Sequence, residues 1–262
     1  MKKMNIKYVS PSYHRADGIT TLDYISRCKM YVSAEDYPEY VRHNPRHKDK
    51  FVAVPDGVQG NGKGVCMNWL KNNLWDDDTD AIVAVDDDMS YLMAHELNGK
   101  DRKVPEDELY EIVENCTRLA KDFHVGLWSF NLNSDPMTYD CFKPFRFHSY
   151  LDGQFTVWCD KNDLQYDTTL TVKEDVDFFL QNIAKYHKAL RVDKYYPVCK
   201  GFTNKGGAFD FRSSEVEKEQ FQIMQKKWGP EIIRPNRATA TKSSRIRGLG
   251  GAIRISLPLK GV

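Results

Sequence analysis

The sequence predicts an α/β sandwich with a mostly parallel central sheet and helices on both of its faces. Two observations lead to this prediction. Short apolar segments alternate with amphipathic ones through the first half of the chain, which is typical of strands joined by crossover helices. Residues 81–85 are apolar throughout, as expected for a strand that is covered on both faces in a parallel sheet.

The elements of the first half are bounded by turn residues. Pro11 ends the first strand, and the turn at residues 55–57 ends the third. Pro105 opens a helix whose first turn carries three acidic residues, which complement the helix dipole. Strands are predicted at residues 7–10, 30–33, 51–54, 81–85 and 125–130, and helices at residues 20–28, 65–74 and 106–123.

The second half of the chain is less regular. A strand is predicted at residues 154–159, and helices at residues 171–190 and 215–228. Residues 1–230 are predicted to form one domain, and residues 231–262 a basic segment that packs on it or extends from it. From residue 232 onward the chain has no acidic residue. Its basic residues there are Arg234, Arg237, Lys242, Arg245, Arg247, Arg254 and Lys260.

Composition excludes several classes of protein. The chain has 262 residues, with 38 Lys and Arg against 37 Asp and Glu, so it is neither polybasic nor strongly acidic. Its 41% hydrophobic content can form a core, which argues against a disordered chain. No apolar run is long enough to span a bilayer, and no signal peptide is recognisable. The six cysteines form no C-x-x-C pair, and we expect reduced thiols in a cytoplasmic protein, or in the host cytoplasm if the protein is viral.

Three consecutive carboxylates, Asp86, Asp87 and Asp88, directly follow the apolar strand. Ligands of open α/β sheets bind at the carboxyl ends of strands. Aspartate oxygens in that position suit Mg²⁺ or Mn²⁺, which can in turn bind a diphosphate. The three residues therefore predict a metal site, and the structural alternative is a solvated turn.

Residues 57–64 nearly match the phosphate-binding loop G-x-x-x-x-G-K-[ST]. Gly64 stands where the motif needs a hydroxyl for Mg²⁺, which argues against a phosphotransferase. Lys63, at the start of a helix, can still face a donor phosphate or sugar. A flexible surface loop is the structural alternative.

Two other segments carry candidate site residues. Pro11, Ser12, Tyr13 and Arg15 follow the first strand and could hold a nucleotide, or form a simple turn. Thr171 and Glu174 match a helix capping box, which explains Glu174 structurally. The functional alternative makes one carboxylate of this segment a general base.

Together these features resemble a GT-A glycosyltransferase. The resemblance lies in residues 11–15, in the glycine-lysine loop before a helix carrying Asn68, and in the aspartate triplet at the end of a strand. Residues 173–178 (KEDVDF) resemble the downstream acidic motif of inverting members. The arrangement is most similar to the TET/JBP-associated glycosyltransferases, phage and kinetoplastid enzymes that glycosylate hydroxymethylated pyrimidines in DNA.

The resemblance implies a GT-A-like, Rossmann-type sandwich and a mechanism. Asp86 and Asp88 would hold Mn²⁺ or Mg²⁺, with Asp86 and Asp87 also near the donor. Asp175, or Glu174, would deprotonate the acceptor hydroxyl, and one displacement would invert the sugar. The donor would be a UDP-sugar, with UDP-glucose as the first candidate. The donor-binding residues would be Pro11, Ser12, Tyr13, Arg15, Lys63 and Asn68.

A DNA acceptor agrees with the basic C-terminal segment, because lysine and arginine neutralise phosphates. Four aromatic residues interleaved with basic ones could stack near an acceptor base, although core packing is the favoured interpretation of them. These aromatic residues are Phe142, Phe145, Phe147 and Tyr150. The alternatives that stay open are a glycan, lipid or protein acceptor, a phosphotransferase, a nuclease, and a DNA-binding module without catalysis.

Overall fold

A computed structural model describes residues 3–97, 99–160, 162–200, 206–235 and 253–257. Within these ranges the strands are β1 (Ile6–Pro11), β2 (Cys28–Ser33), β3 (Phe51–Val54), β4 (Ala81–Val85), β5 (Met89–His95), β6 (Asp101–Val104), β7 (Leu127–Phe130), β8 (Phe145–Arg146), β9 (Phe155–Cys159), β10 (Leu190–Val192), β11 (Tyr195–Cys199), β12 (Ile233–Pro235) and β13 (Ile253–Ile255). The helices are α1 (Thr21–Tyr24), α2 (Tyr37–His43), α3 (Lys63–Leu74), α4 (Glu106–Asp122), α5 (Glu174–Tyr186) and α6 (Ser214–Trp228).

The central sheet has eight strands in the order β3-β2-β1-β4-β9-β7-β10-β8. Strands β3, β2, β1 and β4 are parallel to one another, and β10 is parallel to β7. β9 runs antiparallel between β4 and β7, and β8 is an antiparallel edge strand. The prediction of a mostly parallel α/β sheet is confirmed.

Both faces of this sheet are covered, as predicted. Along β4, the side chains of Ala81, Val83 and Val85 join one core cluster, and those of Ile82 and Ala84 join another. Helix α4 packs on the first face, and helices α3, α5 and α6 pack on the second. Every residue of β4 is buried, which is why this strand reads as an unbroken apolar run.

Several element predictions were wrong in detail. The helix expected at residues 20–28 is a single turn, α1, because residue 28 already pairs in β2. Helix α5 begins at Glu174 and not at Thr171, so the predicted capping box does not form. The Thr171 hydroxyl instead accepts a hydrogen bond from Gln220 Nε2 of α6 at 2.7 Å. A tertiary contact therefore takes the place of the local cap.

A second sheet, β11-β5-β6, was not predicted from the sequence. β5 begins directly after Asp88, and its antiparallel partner β11 places Cys199 opposite Met89. These strands mix polar, aromatic and apolar residues without clean alternation, so periodicity gives little signal. The sheet matters because it brings a distant segment of the chain to the aspartate triplet.

The expected core packing of the aromatic cluster was wrong for two of its residues. Phe142 is 91% exposed and Phe145 is 42% exposed. Phe147 does pack against the core, where its ring meets Phe123 edge to face. Tyr150 contacts the second core cluster and donates a hydrogen bond to Asp175.

Only part of the C-terminal segment lies within the described residues. β12 pairs antiparallel with β13, and Ile233 is fully buried against the same core cluster as α6. Arg234 and Arg254 are register partners in this pair. The other basic residues of the segment lie outside the described residues: Arg237, Lys242, Arg245, Arg247 and Lys260. In the described ranges, no helix has both the length and the apolar character needed to cross a bilayer.

The end of α6 is tied to the start of α5. Trp228 Nε1 donates a hydrogen bond to Asp177 Oδ1 at 2.7 Å, and Lys227 Nζ lies 2.9 Å from the same oxygen. Asp177 is completely buried. A buried carboxylate needs such donors because burial removes its water. This contact positions the helix that carries Glu174 and Asp175.

We expect Trp228→Phe to lower the free energy of unfolding by about 1–3 kcal/mol, since it leaves a buried carboxylate one donor short. Urea denaturation measures this change. Trp75→Phe is the matched control, because the buried Trp75 Nε1 has no hydrogen-bond partner within the described part of the chain. Equal losses in the two variants would show that the indole hydrogen bond to Asp177 contributes nothing.

Candidate active site

One cavity opens at the carboxyl ends of β1 and β4. It collects nearly all of the predicted site residues, which come from four separate segments of the chain. The predicted residues that line it are Pro11, Ser12, Tyr13, Arg15, Lys63, Asp86, Asp87, Asp88, Glu174 and Asp175. The carboxyl edge of an open α/β sheet is the usual position of a ligand site.

Asp87, the middle carboxylate of the triplet, joins the loop after β4 to the loop after β1. It is 4% exposed, and it accepts hydrogen bonds from Ser12 Oγ and from Arg15 Nη1, the latter at 3.1 Å. Tyr40 of α2 supports the same loop: its hydroxyl lies 2.6 Å from Ser12 Oγ and accepts from the Arg15 backbone N–H at 3.0 Å. Burial raises the pKa of Asp87, and Arg15 opposes this shift. Asp87 thus holds the loop after β1 in place beside the cavity.

Lys63, the first residue of α3, lies among the carboxylates. Its Nζ donates to Asp86 Oδ1 at 2.5 Å and to the Gly153 carbonyl at 3.0 Å. Burial disfavours its charge, but the nearby carboxylates, led by Asp86, outweigh burial and raise the pKa of Lys63. The lysine of the glycine-rich loop therefore holds a carboxylate, which differs from its position in a phosphate-binding loop.

Four carboxylates share this environment: Asp86, Asp152, Glu174 and Asp175. Burial and the charges of Asp175 and Asp86 raise the pKa of Asp152 well above its ordinary range. Burial and Asp175 raise the pKa of Glu174 in the same direction, and Lys63 opposes the shift. The cavity therefore disfavours the ionised forms of Asp152 and Glu174, while Lys63 pairs with the Asp86 carboxylate.

Glu174 and Asp175 differ in what surrounds them. Glu174 is 6% exposed, whereas Asp175 is only partly buried. Tyr150 donates a hydrogen bond to Asp175 Oδ2 at 2.5 Å and so orients that carboxylate. A Cβ added to Gly153 would lie 3.3 Å from the Asp175 Cβ and 3.6 Å from Lys63 Nζ, so a larger residue here would crowd Asp175.

Asn68 is the predicted site residue that lies outside the cavity. Its side chain accepts from the Tyr166 backbone N–H at 2.7 Å and donates to the Tyr166 carbonyl at 2.9 Å. These two bonds hold the segment before α5 against α3. The structure places Asn68 in a supporting position and not among the groups that face a ligand.

Some cavity residues were missed by the sequence analysis. They come from segments with no motif, and tertiary contacts bring them to the cavity. The pairing of β11 with β5 places Cys199 there, and the turn after residue 206 places Phe211 and Arg212 there. The missed residues include Asp152, Cys199, Phe211 and Arg212.

The turn at Gly207–Phe211 closes one side of the cavity. The Gly207 N–H donates to the Tyr13 carbonyl at 2.9 Å, and Arg15 Nη2 donates to the Gly206 carbonyl at 3.0 Å. The rings of Tyr13 and Phe211 are nearly parallel, with centroids 6.3 Å apart. The Tyr13 ring also stacks on the His14 ring, with centroids 3.7 Å apart. Tyr13 and Phe211 both line the cavity on the side of the β1 loop.

The carboxylates that line the cavity are candidate ligands for a divalent cation. In the described part of the chain, no group of three or more His, Cys, Asp or Glu side chains forms a preassembled metal site. Asp86 and Asp88 nevertheless line the same cavity as a pair. Mg²⁺ is usually held by one or two carboxylates together with substrate phosphates. A pair of carboxylates therefore fits a cation that binds together with a phosphorylated ligand.

The raised pKa of Glu174 predicts a pH-dependent stability. The native state keeps this proton to higher pH than the unfolded chain, so the free energy of unfolding falls as the pH rises above about 4.3, the ordinary glutamate pKa. Glu174→Gln removes this titration. We expect the variant to melt at a higher temperature than wild type at about pH 8.5 and to lose this advantage at about pH 4. A pH-independent difference in melting temperature would contradict the prediction.

Two solved structures show backbone similarity to the chain. The first is Staphylococcus aureus TarS 1–349 in complex with UDP, with 13% identity and a TM-score of 0.48, covering 85% of this chain. This chain spans 66% of that TarS chain. The second is the 4-diphosphocytidyl-2C-methyl-D-erythritol synthase of Anaerococcus prevotii, with 8% identity, a TM-score of 0.39, and coverage of 84% of this chain and 96% of that one. No curated protein matches the sequence.

A protein-family comparison gives a more direct assignment. The family model described as TET-associated glycosyltransferase matches residues 6–207, which include β1, the aspartate triplet and α5. The match covers well over half of the chain, and it confirms the resemblance drawn from the sequence motifs. The chain belongs to the TET-associated glycosyltransferase family.

Proposed function

We propose that the cavity binds a UDP-sugar and that the enzyme transfers the sugar, with inversion, to a hydroxymethylated pyrimidine base in DNA. The observation that carries the proposal is the meeting of Asp86, Asp88 and Asp175 in one cavity of a chain from this glycosyltransferase family. UDP, the DNA acceptor and inversion are what the sequence resemblance implies.

The loop after β1 supplies groups that suit a nucleotide. Arg15 keeps one buried donor, Nε, without a hydrogen-bond partner in the described part of the chain. Such a donor favours a ligand that brings an acceptor oxygen. The aromatic rings of Tyr13 and Phe211 line the cavity beside this loop and favour a planar ligand group such as a nucleobase. Together they favour a ligand with a base and a phosphate.

Asp86 and Asp88 are the residues that would hold a divalent cation, Mn²⁺ or Mg²⁺. When bound, the cation supplies Lewis-acid assistance by neutralising charge on the departing diphosphate. Lys63 adds a fixed positive charge beside Asp86. Asp87 is engaged by Ser12 and Arg15, so its role in the proposal is to shape the donor site.

Asp175 is the general base in this proposal. It is more accessible than Glu174, and burial and the neighbouring Asp175 charge raise the pKa of Glu174, which disfavours the ionised form a base needs. Tyr150 holds one of its oxygens, which orients the carboxylate. Asp175 takes the proton of the acceptor hydroxyl as the hydroxyl oxygen bonds to the anomeric carbon. The bond from that carbon to the diphosphate oxygen breaks, and the configuration inverts.

Donor and metal binding are tested first by calorimetry. We expect UDP to bind wild type tightly with Mn²⁺ and weakly without it, and ATP to bind poorly. Asp88→Ala should weaken UDP binding in Mn²⁺ by about 100-fold or more, because loss of even an outer-shell partner costs metal sites about 10- to 100-fold. Asp78→Ala, in an exposed loop, is the control. Binding of ATP with Mg²⁺ in place of UDP would contradict the proposal and favour a phosphotransferase.

The base assignment is tested by turnover with UDP-glucose and other UDP-sugars on DNA that contains hydroxymethylcytosine or hydroxymethyluracil. We expect Asp175→Asn to lower kcat by about 10²- to 10⁴-fold, the usual contribution of a general base, with little change in UDP affinity. Glu174→Gln is the matched control and should lose much less. Unchanged turnover in Asp175→Asn would exclude Asp175 as the base. Retention of the anomeric configuration, read by NMR of the product, would exclude the single displacement.

A further inference from the structure

Phe142 is an apolar side chain that the cavity does not use. It is 91% exposed, and it lies in the long connection between β7 and β9, here called the β7–β9 loop (residues 131–154). This loop also carries the exposed apolar side chains of Met137 and Phe145, and exposed apolar groups that are concentrated in one segment favour a contact surface. The other end of the same loop carries Tyr150, Asp152 and Gly153 at the cavity.

The tip of the β7–β9 loop is built by hydrogen bonds. Asp140 Oδ1 accepts from the Phe142 N–H at 3.0 Å, and the Asp140 carbonyl accepts from the Lys143 N–H at 2.9 Å. Just beyond the tip, the Pro144 carbonyl accepts from the Asp193 N–H at 2.8 Å. These bonds define a turn that presents Phe142 outward, next to Lys143, whose side chain is 76% exposed.

The direction of the strands shows on which side of the sheet this tip lies. β8 runs antiparallel to β10, with Phe145 opposite Val192, the last residue of β10. Since β10 is parallel to β7, Val192 lies at the carboxyl edge of the sheet. The chain from Phe145 back to Phe142 therefore extends beyond the same edge of the sheet at which the cavity opens, with β8 four strands along from β4. The eight residue steps from Phe142 to Tyr150 span at most about 28 Å of chain.

We propose that Phe142 stacks on the bases that neighbour the acceptor nucleotide in duplex DNA and fills the space left when the acceptor base turns out of the helix. The inference rests on the proposed DNA acceptor. A base inside a duplex cannot reach a cavity of this kind unless it leaves the stack. Apolar wedges such as Phe are what proteins insert between base steps, and aromatic rings stack on any base.

The charged side chains near Phe142 agree with duplex DNA as the binding partner. Lys143 is directly adjacent, and its contact with Asp140 is 3.9 Å long between two exposed groups, so the pair contributes little and the ammonium stays available to a phosphate. Arg146 follows on β8 and is 42% exposed, although it also pairs with Asp193. The Phe142 ring therefore lies near two basic side chains, Lys143 and Arg146, as expected for a ring that stacks on DNA bases while cations contact the phosphates.

The test compares acceptors with wild type and Phe142→Ala. We expect kcat/KM on a duplex oligonucleotide with one hydroxymethylated pyrimidine to fall by about 5- to 150-fold, the loss of one base–aromatic stack. On the same strand without its complement we expect less than about a two-fold change, because no gap has to be filled. Phe142→Trp should keep the duplex activity.

The matched control is Leu97→Ala. Leu97 is 82% exposed and lies in the connection between β5 and β6, at the end of β5 away from Asp88. We expect no change on either acceptor. Because Phe142 and Leu97 are exposed, equal melting temperatures should confirm that both variants fold.

Three results would overturn the inference alone: no duplex loss in Phe142→Ala, an equal loss on duplex and single strand, or an equal loss in Leu97→Ala. Phe142-dependent binding to anionic phospholipid vesicles, with duplex transfer unaffected, would also overturn it and assign the tip to a membrane surface. Failure of wild type to modify any hydroxymethylated DNA would be a different result. It would remove the proposed acceptor, and this inference with it.

Discussion

The charge balance around Lys63 is the constraint on which the cavity depends. Asp86, Asp152, Glu174 and Asp175 come from three separate loops or helix ends, and their mutual repulsion opposes bringing those segments together. Lys63 Nζ bonds both Asp86 and the Gly153 carbonyl, so one cation joins two of the three segments. The Lys63 and Asp86 side chains are only 22% and 28% exposed, so removing one of them leaves the other charge partly desolvated and without its partner.

A second set of contacts joins the loop after β4 to the loop after β1. Asp87 accepts hydrogen bonds from Ser12 and Arg15, and the Tyr40 hydroxyl contacts both of these residues. The Arg15 guanidinium also lies 3.9 Å from Asp88, and Asp86 pairs with Lys63. Each member of the triplet therefore lies near a cation, which lowers the repulsion among three adjacent carboxylates.

The base proposed for the reaction is positioned by the β7–β9 loop and by α6. Tyr150, on the loop, holds Asp175 from one side. Trp228 and Lys227, at the end of α6, hold Asp177 two residues further along α5. The same loop presents Phe142 at its tip, so the contact surface proposed for DNA and the group that orients the base belong to one segment.

Local sequence patterns were enough to predict the α/β class, the buried strand β4, the position of the aspartate triplet and the family. These patterns are an unbroken apolar run, turn residues at strand ends, and carboxylates directly after a strand. The contacts that each of these groups makes depend on tertiary packing. Asp87 and Lys63 bond other side chains of the cavity, Thr171 bonds α6 and does not cap α5, and Asn68 supports a backbone segment. Asp152, Cys199 and Phe142 carry no motif, because their positions depend on strand pairing and on contacts between residues far apart in the sequence.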